Sequence, residues 1–229
     1  MKLKKTVIVF APHPDDETFG CGGTIAKKIS EGYNVLIVIM TDGRNLFKNV
    51  LNIDNDPSPD EVRELRRREV LRATEILGVP KENVLFLDFE DGTLERYELE
   101  AEKKVIEILN RYRPVEIYLP FKNDSHPDHR ATYRILRKCV EKLGLKPRMY
   151  QFCILHKFAR VGPIFEKLFG LFRRNIVKVD VSRFIKLKEM AIREFKCEFS
   201  IISSQQKRPI SDKFDKYLKE KELFFIIRT

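Results

Sequence analysis

Short runs of continuous aliphatic residues alternate with charged, amphipathic segments along most of the sequence. The first two runs are TVIVFA at Thr6–Ala11 and NVLIVIM at Asn34–Met40. Strands that do not alternate with polar residues are buried on both faces, which is typical of the parallel sheets of α/β proteins. The pattern therefore predicts a three-layer αβα sandwich with a mostly parallel, Rossmann-like sheet.

The same alternation predicts the remaining elements. We predict helices at Thr24–Glu31, Asp60–Leu77, Leu94–Tyr112, Arg130–Leu143, Phe184–Lys196 and Phe214–Glu222. We predict further strands at Asn83–Phe89, Val115–Pro120, Met149–Leu155 and Ile176–Val181. Because no linker or internal repeat divides these elements, we expect residues 1–229 to form a single domain.

Two segments fit neither a strand nor an assigned helix. Asn45–Pro59 is long and turn-rich, which is typical of lids and disordered loops. Lys157–Arg174 carries apolar, aromatic and basic residues at helical spacing. That spacing favours a helix packed on the core or at a subunit interface over a role at a membrane surface or a lipid substrate.

The net charge of +10 admits nucleic acid, anionic lipid or a phosphorylated substrate as a partner. The basic residues, however, are interleaved with glutamates along the helices, so a solvated surface is the simpler interpretation. No apolar run is long enough to span a bilayer. The four cysteines are scattered, which predicts reduced thiols and a cytoplasmic protein.

Two clusters of histidines and acids follow predicted strands. HPDD at residues 13–16 comes after the first strand, and HPDH at residues 126–129 comes just past Val115–Pro120. In an open parallel sheet, the carboxyl ends of the strands form the ligand-binding edge, and side chains three residues apart share a helix face. Imidazoles and carboxylates gathered there predict a metal site, since a cation offsets the crowded acids.

The residue types leave the identity of the metal open. Two histidines and one carboxylate with an open position suit catalytic zinc, and they also suit non-haem iron(II). The simpler alternative has the first cluster capping a helix while the second is a solvated turn.

APHPDDETFGCGGT at residues 11–24, together with HPDHRAT at residues 126–132, resembles the PIG-L/LmbE-like deacetylases. The resemblance covers most of the chain, through MTDGR at 40–44, EILGV at 75–79 and VKVDVS at 177–182. It implies a metal-dependent, usually zinc-dependent N-deacetylase that acts on N-acetylglucosamine in small glycosides, glycolipid precursors or oligosaccharides. It also implies a small amino-sugar substrate rather than nucleic acid, and no stable membrane insertion. Homo-oligomers occur in this family, so we expect one here.

Carried over residue by residue, the resemblance implies that His13, Asp16 and His129 bind the metal. Asp15 becomes the general base, and His126 polarises the amide oxygen or protonates the leaving amine. This chemistry is coherent, because a bound metal lowers the pKa of water and a neighbouring carboxylate then removes its proton.

Other polar residues have two interpretations each. Arg44 follows the second strand and could hold a sugar hydroxyl or a phosphate of the substrate, or be a surface arginine. Asp42 could orient Arg44 for this substrate contact, or form a turn with Gly43. Asp128 could orient a histidine from behind, or place a charge at a helix N-terminus. Tyr133 stands where many family members have glycine, and it either narrows the pocket or repacks its helix.

Two further functions compete with the deacetylase. One is another metal-dependent hydrolase, or an iron(II) enzyme, that uses the same ligands. The other is a module that binds nucleic acid or an anionic membrane through its basic surface and holds a structural metal, although the sequence lacks a basic helix or an aromatic-rich sheet motif for it.

Overall fold

The computed structural model describes residues 5–154 and 175–227. Its strands are β1 (Thr6–Ala11), β2 (Asn34–Thr41), β3 (Val84–Phe89), β4 (Glu116–Pro120), β5 (Arg148–Phe152), β6 (Ile176–Asp180) and β7 (Lys221–Ile227). They form one sheet in the order β3-β2-β1-β4-β5-β7-β6. Strands β1 to β5 are parallel, and β7 runs antiparallel to both of its neighbours. The predicted mostly parallel sheet is confirmed.

Helices cover both faces of this sheet. They are α1 (Asp16–Ser30), α2 (Leu46–Leu51), α3 (Pro59–Ile76), α4 (Glu98–Tyr112), α5 (Pro127–Lys142) and α6 (Ile185–Ile192). Alternate residues of β1 point into separate cores: Val7 packs with α1, α3 and α6, whereas Ile8 packs with α4 and α5. The three-layer sandwich is therefore confirmed.

The strand order reverses direction at β1, which pairs with β2 on one side and with β4 on the other. At such a switch point the connections leave the sheet in different directions and open a crevice beyond the carboxyl ends of the strands. The HPDD segment follows β1 and the HPDH segment begins α5 after β4. The topology therefore places both clusters at the mouth of this crevice.

Helix α1 begins at Asp16 rather than at the predicted Thr24. Asp16 and Glu17 place negative charge in its first turn, where the helix dipole favours it. Glycine allows α1 to pack closely, because a Cβ on Gly23 would lie 2.7 Å from the Cβ of Val181. The glycine-rich start of α1 is thus a packing feature.

The predicted helix Phe214–Glu222 is wrong. The chain makes a short 3-10 turn at Asp215–Tyr217 and then forms β7, which lies between β5 and β6. Lys221–Phe225 pairs with β6 and Phe225–Ile227 pairs with β5, so pairing within the sheet, which a local pattern does not reveal, decides the structure of this segment.

The Asn45–Pro59 segment is ordered and contains α2. Phe47 and Ile53 are buried against Val62 of α3, so apolar contacts hold this segment on the body of the protein. The predicted helix within Lys157–Arg174 lies outside the described residues. Within residues 5–154 and 175–227, no helix combines the length and the apolar character needed to cross a bilayer.

Candidate metal centre and catalytic cavity

A cavity of about 450 Å³ lies at the crevice and brings five predicted residues together. These are His13, Asp15, Asp16, His126 and His129. Additional parts of its wall come from α2, through Leu46, Asn49 and Val50, and from the C-terminal segment, through Glu198, Ile210, Ser211, Lys216 and Tyr217. Pockets of this volume are large enough for small ligands.

The HPDD segment bends sharply before α1. Asp16 accepts a hydrogen bond from the backbone N–H of His13 at 3.0 Å, which closes the turn. Asp15 adopts φ 148° and ψ −29°, outside the helix, and its backbone N–H donates to Glu17 at 3.1 Å. Asp16 therefore begins α1, whereas Asp15 lies outside it.

The HPDH segment instead enters α5 directly. His126 is the N-cap residue, and Pro127 occupies the first turn, where its missing N–H has no cost. The Nδ1 atom of His126 accepts a hydrogen bond from the backbone N–H of Asp128 at 3.3 Å. His129 lies on the inner face of α5 and is buried.

Three ligand atoms from the two segments form a compact triangle. Asp16 Oδ2 lies 3.2 Å from His13 Nδ1 and 3.1 Å from His129 Nε2. The two histidine nitrogens lie 3.3 Å apart. Tetrahedral zinc holds such ligands at about 2.0–2.2 Å, which places them about 3.3–3.6 Å from one another. The triangle therefore has the dimensions of one metal's protein ligand set.

In both histidines of this triangle, the ring nitrogen that points away from the triangle lies next to a carboxylate. Asp124 Oδ2 is 3.1 Å from His129 Nδ1. Asp128 Oδ2 and Asp91 Oδ1 are 3.2 Å and 3.3 Å from His13 Nε2. Carboxylates in this position orient a metal-binding imidazole and raise its basicity.

Asp128 thus touches a histidine, as one of its two sequence interpretations predicts. Its carboxylate also accepts hydrogen bonds from the backbone N–H groups of Gly92 at 2.7 Å and Leu94 at 3.0 Å. Sequence reasoning missed Asp91 and Asp124. Both follow the carboxyl end of a strand, and that position is the signal that could have found them.

Two other groups of potential ligand atoms share His13 and His126. One combines these histidines with His129, and the other combines them with Asp91 and Asp128. In each group the atoms lie within 4.8 Å of one another, a wider limit than the edges of the Asp16 triangle. The Nδ1 atom of His126 is already used in capping α5. The Asp16 triangle is therefore the most compact of the three groups.

The electrostatics of the triangle favour a cation. Burial opposes a charge on His13, yet its hydrogen bonds to Asp128, Asp16 and Asp91 raise its pKa well above the usual value. Burial likewise opposes a charge on His129, while the nearby Asp16 and Asp124 raise its pKa. A pocket that holds protons on buried imidazoles carries excess negative charge, which a metal ion would neutralise.

Asp15 lies beside this triangle but has a different partner. Its Oδ2 atom accepts a hydrogen bond from Arg66 Nη2 at 2.7 Å. Burial raises the pKa of Asp15 well above the usual value, the charge of Arg66 opposes that shift, and the charge of Asp16 adds to it. A carboxylate whose pKa is moved upwards is a better proton acceptor. Sequence reasoning missed Arg66, because nothing local distinguishes it from the other arginines of α3.

The predicted substrate-binding pair has another local role. Arg44 Nε donates to Asp42 Oδ2 at 2.6 Å, and Asp42 Oδ1 accepts from the backbone N–H of Asp91 at 3.3 Å. Neither Arg44 nor Asp42 is among the described residues that line the cavity. Tyr133 is likewise absent from that lining and packs against the core under α4 and α5. Binding of substrate by Arg44 and Asp42 stays a prediction.

Comparison with known families and relatives agrees with this geometry. Residues 8–140, which include both clusters, match the profile of the PIG-L family, described as GlcNAc-PI de-N-acetylase. The diacetylchitobiose deacetylase of Thermococcus kodakarensis is 30% identical over 203 residues, which cover 85% of this chain and 70% of that protein.

Solved structures share the fold over nearly the whole chain. The N,N'-diacetylchitobiose deacetylase of Pyrococcus horikoshii has a TM-score of 0.71 and 26% identity, covering 97% of this chain and 84% of that one. The 4-carboxy-2-hydroxymuconate hydratase of Pseudomonas putida has a TM-score of 0.72 at 18% identity, covering 98% and 97%. That second likeness concerns the fold alone, since one fold hosts different reactions.

Proposed function

Because the chain belongs to the PIG-L family of de-N-acetylases, we propose that its cavity holds zinc and removes the acetyl group from a small N-acetylglucosamine-containing glycoside or glycolipid precursor. The observation that carries the proposal is the triangle of His13, Asp16 and His129, with a catalytic-type carboxylate, Asp15, beside it. The de-N-acetylases that this chain resembles are named for substrates that contain N-acetylglucosamine, which supports this substrate class.

In this proposal, His13, Asp16 and His129 are the metal ligands and the cavity supplies the open position. Zinc bound there would polarise the acetyl carbonyl and make the attacking water more acidic. Two histidines and one carboxylate also suit iron(II) or another divalent ion. Measuring the metal content and the activity restored by each ion decides between them.

Asp15 is the general base. Its carboxylate accepts a proton from water as the water oxygen bonds to the acetyl carbonyl carbon, and a tetrahedral intermediate forms. The C–N bond then breaks, and the proton passes to the leaving nitrogen. Acetate and the free amine are released, so one amide and one water account for both products.

His126 stabilises the oxyanion of that intermediate. Because its Nδ1 atom accepts the backbone N–H of Asp128, the ring of neutral His126 carries its proton on Nε2. His126 lines the cavity and is only partly buried, and in this proposal its Nε2–H donates to the developing negative charge. Such preorganised donors contribute most when the charge develops in the transition state.

The test is acetate release from a panel of N-acetylglucosaminides, with zinc and then with a chelator. The panel contains the free sugar, N,N'-diacetylchitobiose, inositol-linked and malate-linked glycosides, and a nucleotide sugar. We expect chelator-sensitive release that zinc restores. No acetate from any compound, with metal verified in the protein, would overturn the deacetylase proposal and leave another hydrolase or an iron(II) enzyme as the alternative.

Three properties outside the site also remain proposals. We propose one domain over residues 1–229, and a cytoplasmic location because the described cysteines are free. A homo-oligomer rests on the family resemblance alone. Sedimentation velocity at several protein concentrations tests the oligomer, and limited proteolysis tests the single domain.

A further inference from the structure

The guanidinium of Arg66 joins two chain segments around Asp15. Arg66 lies on α3 and is 3% exposed. Its Nη2 atom donates to Asp15 Oδ2 and to the carbonyl of Pro14, both at 2.7 Å, and its Nη1 atom donates to the carbonyl of Gly43 at 3.1 Å. Three hydrogen bonds thus connect α3 to the loops that follow β1 and β2.

The backbone of Asp15 requires such support. Its φ of 148° is rare for a residue with a side chain. Strained backbone of this kind persists only where the surrounding contacts over-determine it, and such positions cluster at active sites. Arg66 contacts both the carboxylate of Asp15 and the carbonyl immediately before it. It therefore holds the Asp15 side chain and the peptide bond that precedes Asp15.

Gly43 provides the space that the guanidinium occupies. Its φ is +65°, and a Cβ built on it would lie 2.6 Å from Arg66 Nη1 and 2.8 Å from Pro14 Cδ. Any side chain at residue 43 would push against the same atoms that hold Asp15. The loop after β2 is therefore shaped around Arg66.

We propose that Arg66 is a positioning residue, which fixes the Asp15 carboxylate in the direction needed to accept a proton from the attacking water. The inference rests on the proposed role of Asp15 as the general base. The planar guanidinium presents several N–H donors in a rigid fork, whereas a lysine ammonium is a single flexible point charge. Charge alone is therefore insufficient for this role.

The test compares Arg66→Lys with the matched control Arg67→Lys. Arg67 lies next along α3, is half-exposed, and donates to Asp88 at 2.9 Å. We expect Arg66→Lys to lower kcat about 100-fold, the size of effect that a small misplacement of a catalytic group produces. The KM and the zinc content should stay close to those of Arg67→Lys.

A second variant tests the same contact from the other side. Gly43→Ala should also lower kcat without loss of zinc, because the new methyl group displaces the guanidinium. The double variant should be little slower than the slower single variant, since mutations that act through one contact are not additive. If the two losses multiplied instead, the two residues would act separately and the inference would be wrong.

Other outcomes would also overturn the inference. An unchanged kcat in Arg66→Lys would show that a positive charge suffices. A raised KM with unchanged kcat would make Arg66 a substrate contact, and a loss of zinc would make it a structural residue. A crystal structure of zinc-loaded Arg66→Lys decides independently of activity, since we expect the Asp15 carboxylate to turn away. A wild-type protein that releases no acetate would contradict the proposed deacetylase function. The contact between Arg66 and Asp15 would still be tested by the crystal structure of the variant.

Discussion

The HPDD segment at residues 13–16 and the HPDH segment at residues 126–129 share three letters, yet their aspartates differ in surroundings. Asp15 lies outside α1 at a positive φ and lines the cavity. Asp128 lies inside α5, is 0% exposed, and accepts two backbone N–H groups from the loop after β3. The first helix begins three residues after its histidine, and the second begins immediately after it. The residue at which α1 or α5 begins therefore decides whether the aspartate of that motif lines the cavity.

The two leading histidines differ for the same reason. Both ring nitrogens of His13 face carboxylates, Asp16 at Nδ1 and Asp128 at Nε2. His126 instead uses Nδ1 to cap α5. One motif thus places its first histidine in the proposed ligand set, while the other leaves its first histidine facing the cavity. Identical side chains thus acquire different chemistry through the partners of their ring nitrogens.

The fourth residue of each motif, Asp16 in one and His129 in the other, is a proposed metal ligand. The two motifs are therefore expected to act alike at this position. His129→Ala removes one of the three ligand atoms of the triangle, so we expect the variant to lose bound zinc and to fall to the activity of chelator-treated wild type. Metal analysis after dialysis and acetate release measure both losses. Full activity with wild-type zinc content would remove His129 from the ligand set.

Substitution of the third residue, Asp15 or Asp128, should distinguish the roles of the two motifs most clearly. We expect Asp15→Asn to lower kcat by roughly 10² to 10⁴-fold, the usual contribution of a general base, with zinc retained. Asp128→Asn should change kcat far less. Steady-state kinetics on zinc-loaded protein compares the two, and equal losses in kcat would contradict the different roles assigned here.

Substitution of His126, the first residue of the second motif, should have the next largest effect on kcat. We expect His126→Ala to lower kcat by about 10² to 10³-fold, as loss of an oxyanion donor does. Its zinc content should match wild type because His126 lies outside the triangle. If zinc were lost with His126, the alternative ligand group of His13, His126 and His129 would be the correct one.

The carboxylates behind the histidines should tune the affinity for the metal. We expect Asp124→Asn and Asp128→Asn each to weaken zinc binding by about 10 to 100-fold, since each removes a charged partner of a ligand imidazole. Titration against a competing chelator measures this. Unchanged affinity in both variants would restrict these aspartates to a structural role.

The smallest effect is expected outside the motifs. Arg44→Ala should lower the free energy of unfolding by about 1 kcal/mol or less, because its ion pair with Asp42 is partly exposed. The KM should change little, since Arg44 is not among the described lining residues. Denaturant unfolding and steady-state kinetics check this, and a clearly raised KM would support the predicted contact of Arg44 with the substrate.

The strands were predicted best where their aliphatic runs are continuous. The predicted and observed bounds of β1 agree at both ends, because a strand buried on both faces is a continuous run of apolar residues. The C-terminal region was harder to predict. The segment Lys221–Ile227 contains the β-favouring residues LFFII, but its place between β5 and β6 was not predicted. Local propensity carries no information about those neighbours.

The sequence by itself determined the parallel sheet and the two histidine segments after its strands, because both depend on residues close together in the chain. Tertiary structure alone decided what surrounds them. Asp91 reaches His13 from the loop after β3, and Arg66 reaches Asp15 from α3. These contacts exist because the strand order brings the carboxyl ends of separate strands to one edge, and no local pattern encodes that order.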